Sequence, residues 1–167
     1  LIIEHAEQAL SEACHAHRVQ VRDYTVAPDF SEDTQVGRHH WLIEFEQNPS
    51  DYAAFCETLD QALKNGNADY DAKRKGNINI GFPLLSLAAP GTFHQWLKNK
   101  GKLGGQHKVP RLSNSRNLLE ELFTLQGKSE RIKNFPYPRQ FATLSSIFIL
   151  IFIDLLCLIL LLYLNLW

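Results

Sequence analysis

The residues best suited to do chemistry lie in one run, Gly104-Gly-Gln-His-Lys-Val-Pro-Arg111. Glycines at 104 and 105 remove side-chain obstruction, and Pro110 fixes the backbone between a lysine and an arginine. Such a loop presents Lys108 as a compact point charge and Arg111 as a planar fork of donors, two complementary ways of holding a phosphate. A solvated basic loop is the plainer account of the same composition, and residue types alone leave both open. His39-His40 raises the question of a metal. Adjacent residues on a strand point to opposite faces, and no CxxC or HExxH supplies further ligands, so no metal site is expected there or at Cys14, His15 and His17. The sequence contains no GxSxG, P-loop or GxGxxG, which leaves it without a nucleophile elbow or a self-contained nucleotide cradle.

The elements that must position this loop follow from periodicity. Residues 2–17 place Ile3, Ala6, Leu10 and Ala13 on one face, which predicts an amphipathic helix. Val19–Val26 alternates and reads as a strand half-buried on one side; His40–Glu46 reads as a second strand after a polar loop, Pro28–Gly37. Asn48-Pro49 predicts a helix start, with Asn48 as the cap and Pro49 at the first helical position. Tyr52, Phe55, Cys56, Leu59 and Leu63 make that helix's apolar stripe, and Asn65-Gly66-Asn67 ends it. Asp69–Lys75 adds a short helical turn. Ile78–Leu87 predicts a third strand, at an edge or bulged because of Pro83. Thr92 is expected to cap a short helix through Leu97, and Leu118–Phe123 gives the last one. The order α-β-β-α-β-α-α fits a small α+β domain, a mixed sheet with helices packed on it.

Composition bounds the rest. Over residues 1–70 acidic side chains outnumber basic ones by thirteen to four, whereas residues 91–140 hold ten Lys/Arg against three Asp/Glu. A basic C-terminal half suits a phosphate, an acidic partner domain or an anionic membrane surface, and equally a solvated face. Few aromatics interleave the basic run and no nucleic-acid-binding motif is present, so nucleic acid is not an expected partner. The three cysteines, Cys14, Cys56 and Cys157, are odd in number and far apart, which favours a reducing, cytoplasmic setting over a disulfide framework. The absence of methionine predicts a fragment or a processed piece. Residues 128–143 form a basic linker. Residues 144–167 are nearly all apolar and long enough, as a helix, to cross a bilayer, with Asp154 near the middle. Lys128, Arg131, Lys133 and Arg139 precede them as a membrane anchor requires. The competing reading of that segment is a non-native translation, such as out-of-frame DNA.

From Asp23-Tyr24-Thr25 onward the sequence resembles the auxin-responsive Gretchen Hagen family of acyl acid–amido synthetases, especially its bacterial branch. The matching features occur in family order: Ala27, Gly37, His39–Phe45, Ser50–Leu63, Asp69-Tyr70, Lys73-Arg74, Gly91-Thr92-Phe93, Trp96, and Gly101–Arg111 with Leu112-Ser113-Asn114. The resemblance implies that residues 1–127 are the small C-terminal domain of an adenylate-forming enzyme, followed by a hydrophobic helix foreign to the family. It implies ATP and Mg²⁺ as requirements of a complete enzyme and none bound by this piece alone. The implied partners are a missing N-terminal domain that binds ATP and the acyl acid, a small carboxylic acid, and an amino acid or other amine. A membrane enters only through residues 144–167. By matching position Lys108 is the implied catalytic cation, with Gln106, Arg111 and Arg74 as weaker phosphate-binding candidates. Tyr24 and Tyr70 are expected in the core with hydrogen-bonded hydroxyls. The piece alone is expected to be inactive; the alternative is a membrane-tethered binding module that kept the fold and lost the enzyme.

Overall fold

In the computed structural model, which describes residues 1–30, 36–77, 79–102, 104 and 107–126, the two alternating segments pair as antiparallel neighbours. Strand β1 spans Gln20–Asp29 and β2 spans Arg38–Gln47. A short β3, Leu84–Leu87, adds to β2 in parallel, so the mixed sheet has the order β1-β2-β3. A third strand at an edge is what Pro83 predicts, but its length is not. Ile80 N–H donates to the Lys73 carbonyl and Gly81 N–H to the Gly37 carbonyl, and Pro83 has no N–H, so the residues before Leu84 take their partners outside the ladder.

Helices cover both faces. Helix α1 (Ile3–His17) and helix α2 (Tyr52–Gly66) pack on one side, against Tyr24, Val26, Trp41, Ile43 and Phe45. On the other side α4 (Thr92–Asn99) and α5 (Asn117–Leu125) cover Ala27 and Leu42. This corrects the expectation that β1 is half-buried: its central residues Tyr24 to Ala27 are all buried, because alternation feeds two cores rather than one core and solvent. Ala6, Ala9, Leu10 and Ala13 form the buried stripe of α1, and Ile3 is exposed at the helix start. Small alanines at that contact let α1 approach α2 closely.

The helix ends also differ from expectation. Helix α2 begins at Tyr52, not at Pro49, and its cap is Asp51, whose carboxylate accepts from Ala53 N–H at 2.8 Å and Ala54 N–H at 3.0 Å. Pairing of β2 continues to Gln47, opposite Gln20, so Asn48 and Pro49 are still leaving the sheet and Asp51 is the first residue free to cap. The Asp69–Lys75 turn is a helix, α3 (Ala68–Arg74), capped by the Asn67 side chain on Tyr70 N–H at 3.0 Å. At α4 the residue before the helix is Gly91, with φ 84°, and Thr92 is the first helical residue, its hydroxyl donating to the Ala89 carbonyl at 2.7 Å. The cap comes from another element. Glu44 on β2, 1 % exposed, accepts Gly91 N–H at 2.8 Å and Phe93 N–H at 3.4 Å.

Among the described residues no helix is long and apolar enough to cross a membrane. The linker over 128–143 and the hydrophobic helix expected over 144–167 lie outside the described residues.

Candidate functional site

The run from Lys108 to Ser113 lies along the free edge of β1. Val26 N–H donates to the Arg111 carbonyl at 2.9 Å, and Ser113 N–H to the Val26 carbonyl at 2.8 Å, which makes a parallel bridge between Val26 and Leu112. Thr25 hydroxyl donates to the Pro110 carbonyl at 2.7 Å. Val109, 2 % exposed, inserts among Phe93, Trp96, Leu119 and Leu122. Residues 109–113 are therefore fixed, by one buried side chain, by the Thr25 hydroxyl and by main-chain bonds to a strand. Upstream, Gly101 and Gly104 have φ of 66° and 91°, a region that favours glycine, so the approach to Lys108 needs those residue types. Lys108 stands between the two regimes. It is exposed, and among the described residues no ion pair or hydrogen bond holds its ammonium.

Arg111 turns toward β1. Its guanidinium lies over the Tyr24 ring, 4.6 Å from the centroid, and 3.5 Å from Asp23 Oδ1, with the side chain 30 % exposed. Tyr24 in turn stacks on Trp41 at 5.8 Å. The core position of Tyr24 is as expected, but its buried hydroxyl has no hydrogen-bond partner among the described residues. Burial pushes that hydroxyl's pKa up to about 12, against the pull of the Arg111 charge. Arg111 and Tyr24 also line an open cleft of about 460 Å³ between α1 and β1, with Glu7, Leu10 and Cys14.

Arg74 is elsewhere. It is 5 % exposed at the end of α3, and its fork grips Asp60 at 2.8 and 2.9 Å while Nη1 donates to the Ile80 carbonyl. Lys64 and the Tyr70 hydroxyl, the latter at 2.8 Å, complete the shell around Asp60. Burial would raise the Asp60 pKa, but the hydrogen bonds from Arg74 and Lys64 outweigh it and hold it below the ordinary carboxylate value. The same network satisfies Tyr70, as the sequence predicts. Arg111 thus lies on the β1 edge, with Lys108 exposed three residues before it, whereas Arg74 belongs to the packing of α3 on α2. Gln106 lies outside the described residues.

The two histidines do point apart. His39 stacks on Tyr70 at 5.7 Å, and His40 pairs with Ser86 at 2.8 Å and faces Phe123. Among the described residues no group of three His, Cys, Asp or Glu side chains is arranged to hold a metal ion. Sequence reasoning passed over Asp23, Thr25 and Glu44 as parts of this region. Asp23-Tyr24-Thr25 was visible as a motif, but the contact of Thr25 with Pro110 depends on a pairing across 85 residues.

Residues 4–117 match the GH3 family C-terminal domain. Two solved structures share the fold. A structure described as GH3.15 acyl acid amido synthetase has 23 % identity and a TM-score of 0.56, covering 71 % of this chain and 22 % of that chain. A second, AtGH3.15 acyl acid amido synthetase in complex with 2,4-DB, has 22 % identity and a TM-score of 0.56, covering 71 % of this chain and 23 % of that chain. This chain thus matches less than a quarter of the length of either. No curated protein matches.

Proposed function

Because the chain belongs to the GH3 family, whose C-terminal domain it carries, we propose that it is the closing domain of an ATP-dependent acyl acid–amido synthetase. In the reaction a carboxylate oxygen attacks the α-phosphorus of ATP, and the bond to the oxygen bridging the α- and β-phosphates breaks to release pyrophosphate. An amine nitrogen then attacks the acyl carbon of the acyl-adenylate, and AMP leaves with the former carboxylate oxygen. In this reading a separate N-terminal domain supplies the pockets for ATP, Mg²⁺ and the acyl acid.

The observation that carries this reading is Lys108, an exposed ammonium with no partner among the described residues, on a backbone fixed from Val109 onward. Charge gathers on the α-phosphate and the departing pyrophosphate in the first half-reaction. A cation carried next to that fixed edge, arriving only when the small domain closes, stabilises that state. Arg111, three residues on and 30 % exposed, adds a forked donor to the same edge in this reading.

A piece that carries the cation but no phosphate cradle should bind nucleotide weakly. Calorimetry of this chain with ATP and Mg²⁺ is therefore expected to give no affinity tighter than about millimolar, near −4 kcal/mol. A micromolar, Mg²⁺-dependent affinity would show a complete nucleotide site within these residues and overturn the division of labour.

A further inference from the structure

We propose that Asp23 is an internal competitor for the anion-binding edge: its carboxylate holds Arg111 until a phosphate-bearing ligand displaces it. The proposal rests on the reading of Lys108 and Arg111 as that edge.

The geometry is that of a contact made to be broken. The β1–β2 register is irregular on both sides of Val21 and then regular again, with Asp23 opposite Glu44. Glu44 is committed to the α4 N–H groups, so Asp23 is the carboxylate left facing the loop. Its Oδ1 accepts Tyr24 N–H at 2.9 Å, which keeps the carboxylate in place whether or not Arg111 is there. The Arg111 contact, 3.5 Å, is longer than the roughly 2.7–2.9 Å of a charge-assisted hydrogen bond. By contrast Arg38 reaches Asp29 at 2.9 Å and Arg74 reaches Asp60 at 2.8 Å. Arg111's donors are therefore only partly occupied, and its side chain is open to solvent where Arg74's is not. The main chain need not move for release. The Arg111 carbonyl and Ser113 N–H stay bonded to Val26 while the side chain rotates off the Tyr24 ring.

The test titrates the full chain with inorganic pyrophosphate at low salt, following chemical-shift changes by NMR. Asp23→Asn keeps an oxygen for Tyr24 N–H and removes only the charge. It is expected to tighten pyrophosphate binding about two- to fivefold, the scale of a partly exposed ion pair. In the Arg111→Ala background the same substitution should give no gain; a gain that persists there would be a general field effect and would overturn the proposal. Unchanged or weaker binding by Asp23→Asn, with Arg111→Ala weaker than wild type, overturns the competitor while leaving the anion site. If Lys108→Ala and Arg111→Ala both bind like wild type, the reading of the site itself fails. Should Asn disturb the fold, Asp23→Ser repeats the measurement, and loss of the fold in both makes Asp23 a structural residue and ends the idea.

Discussion

Arg74 sits between two lysines and Arg111 follows a proline, and neither neighbourhood says which arginine is available to a ligand. The difference lies in what already holds each one. Asp60, fourteen residues before Arg74, reaches it only because α3 folds back on α2, and it accepts from Nε and Nη2 at 2.8 and 2.9 Å. Breaking that pair leaves a buried guanidinium without a counter-charge, so Asp60→Ala is expected to cost about 3–5 kcal/mol in urea denaturation. Arg111→Ala removes a half-exposed contact and a ring interaction, and should cost no more than about 1 kcal/mol. Near-equal losses would mean that Arg111 is as structural as Arg74. The sorting of the arginines needed the packing of α3, which the sequence does not show.

Strand β1 was readable because Val19–Val26 alternates even though both of its faces are buried, and β2 from the apolar run Trp41-Leu42-Ile43 with Phe45. Helix boundaries were less readable, because the competing caps stand close together. Asn48 and Asp51 are both good cap residues, and only the extent of β2 pairing decides between them. The start of α4 was readable at Thr92 to within a residue, but its cap was not, since Glu44 comes from the middle of the sheet. Replacing Glu44 by Ala leaves the Gly91 and Phe93 N–H groups unsatisfied in a buried setting. The expected loss is about 1–3 kcal/mol, read by thermal or urea unfolding. Hydrogen exchange should locate the weakening in α4. Uniform loss of protection across α1 and α2 instead would contradict a local capping role.

Across the whole molecule, the buried side chains that resist ionisation set the acid response. Burial first, and nearby positive charge including Arg74 second, lower the His39 pKa from 6.5 to about 4. The folded state therefore prefers the neutral ring. Its contribution to stability is full above about pH 6.5 and is lost as pH falls toward 4, because the unfolded chain takes up the proton first. Asp60, whose folded pKa is lowered, acts in a different window: its contribution fades only below the ordinary carboxylate range. Urea midpoints at pH 7 and pH 5 should differ for wild type and converge for His39→Phe, which keeps a ring against Tyr70 but cannot protonate. A His39→Phe protein with the same pH dependence would place the acid-sensitive group elsewhere. The loop at 104–111 was singled out by residue type and family position, and the fold class and mixed sheet could be read from the sequence. The edge that fixes that loop could not, since Val26 and Leu112 are joined only by the folded chain. The role of that edge is tested most directly by ATP–pyrophosphate exchange, with this domain rejoined to a GH3 N-terminal domain. Lys108→Ala is expected to slow exchange about 10²–10³-fold, the scale of losing one preorganised charge-stabilising donor. Amide formation from a supplied acyl-adenylate should fall far less, and the melting temperature should not move, because Lys108 is exposed. Equal losses in both half-reactions, or exchange that survives the substitution, would contradict the assignment of Lys108 as the cation of the adenylation step.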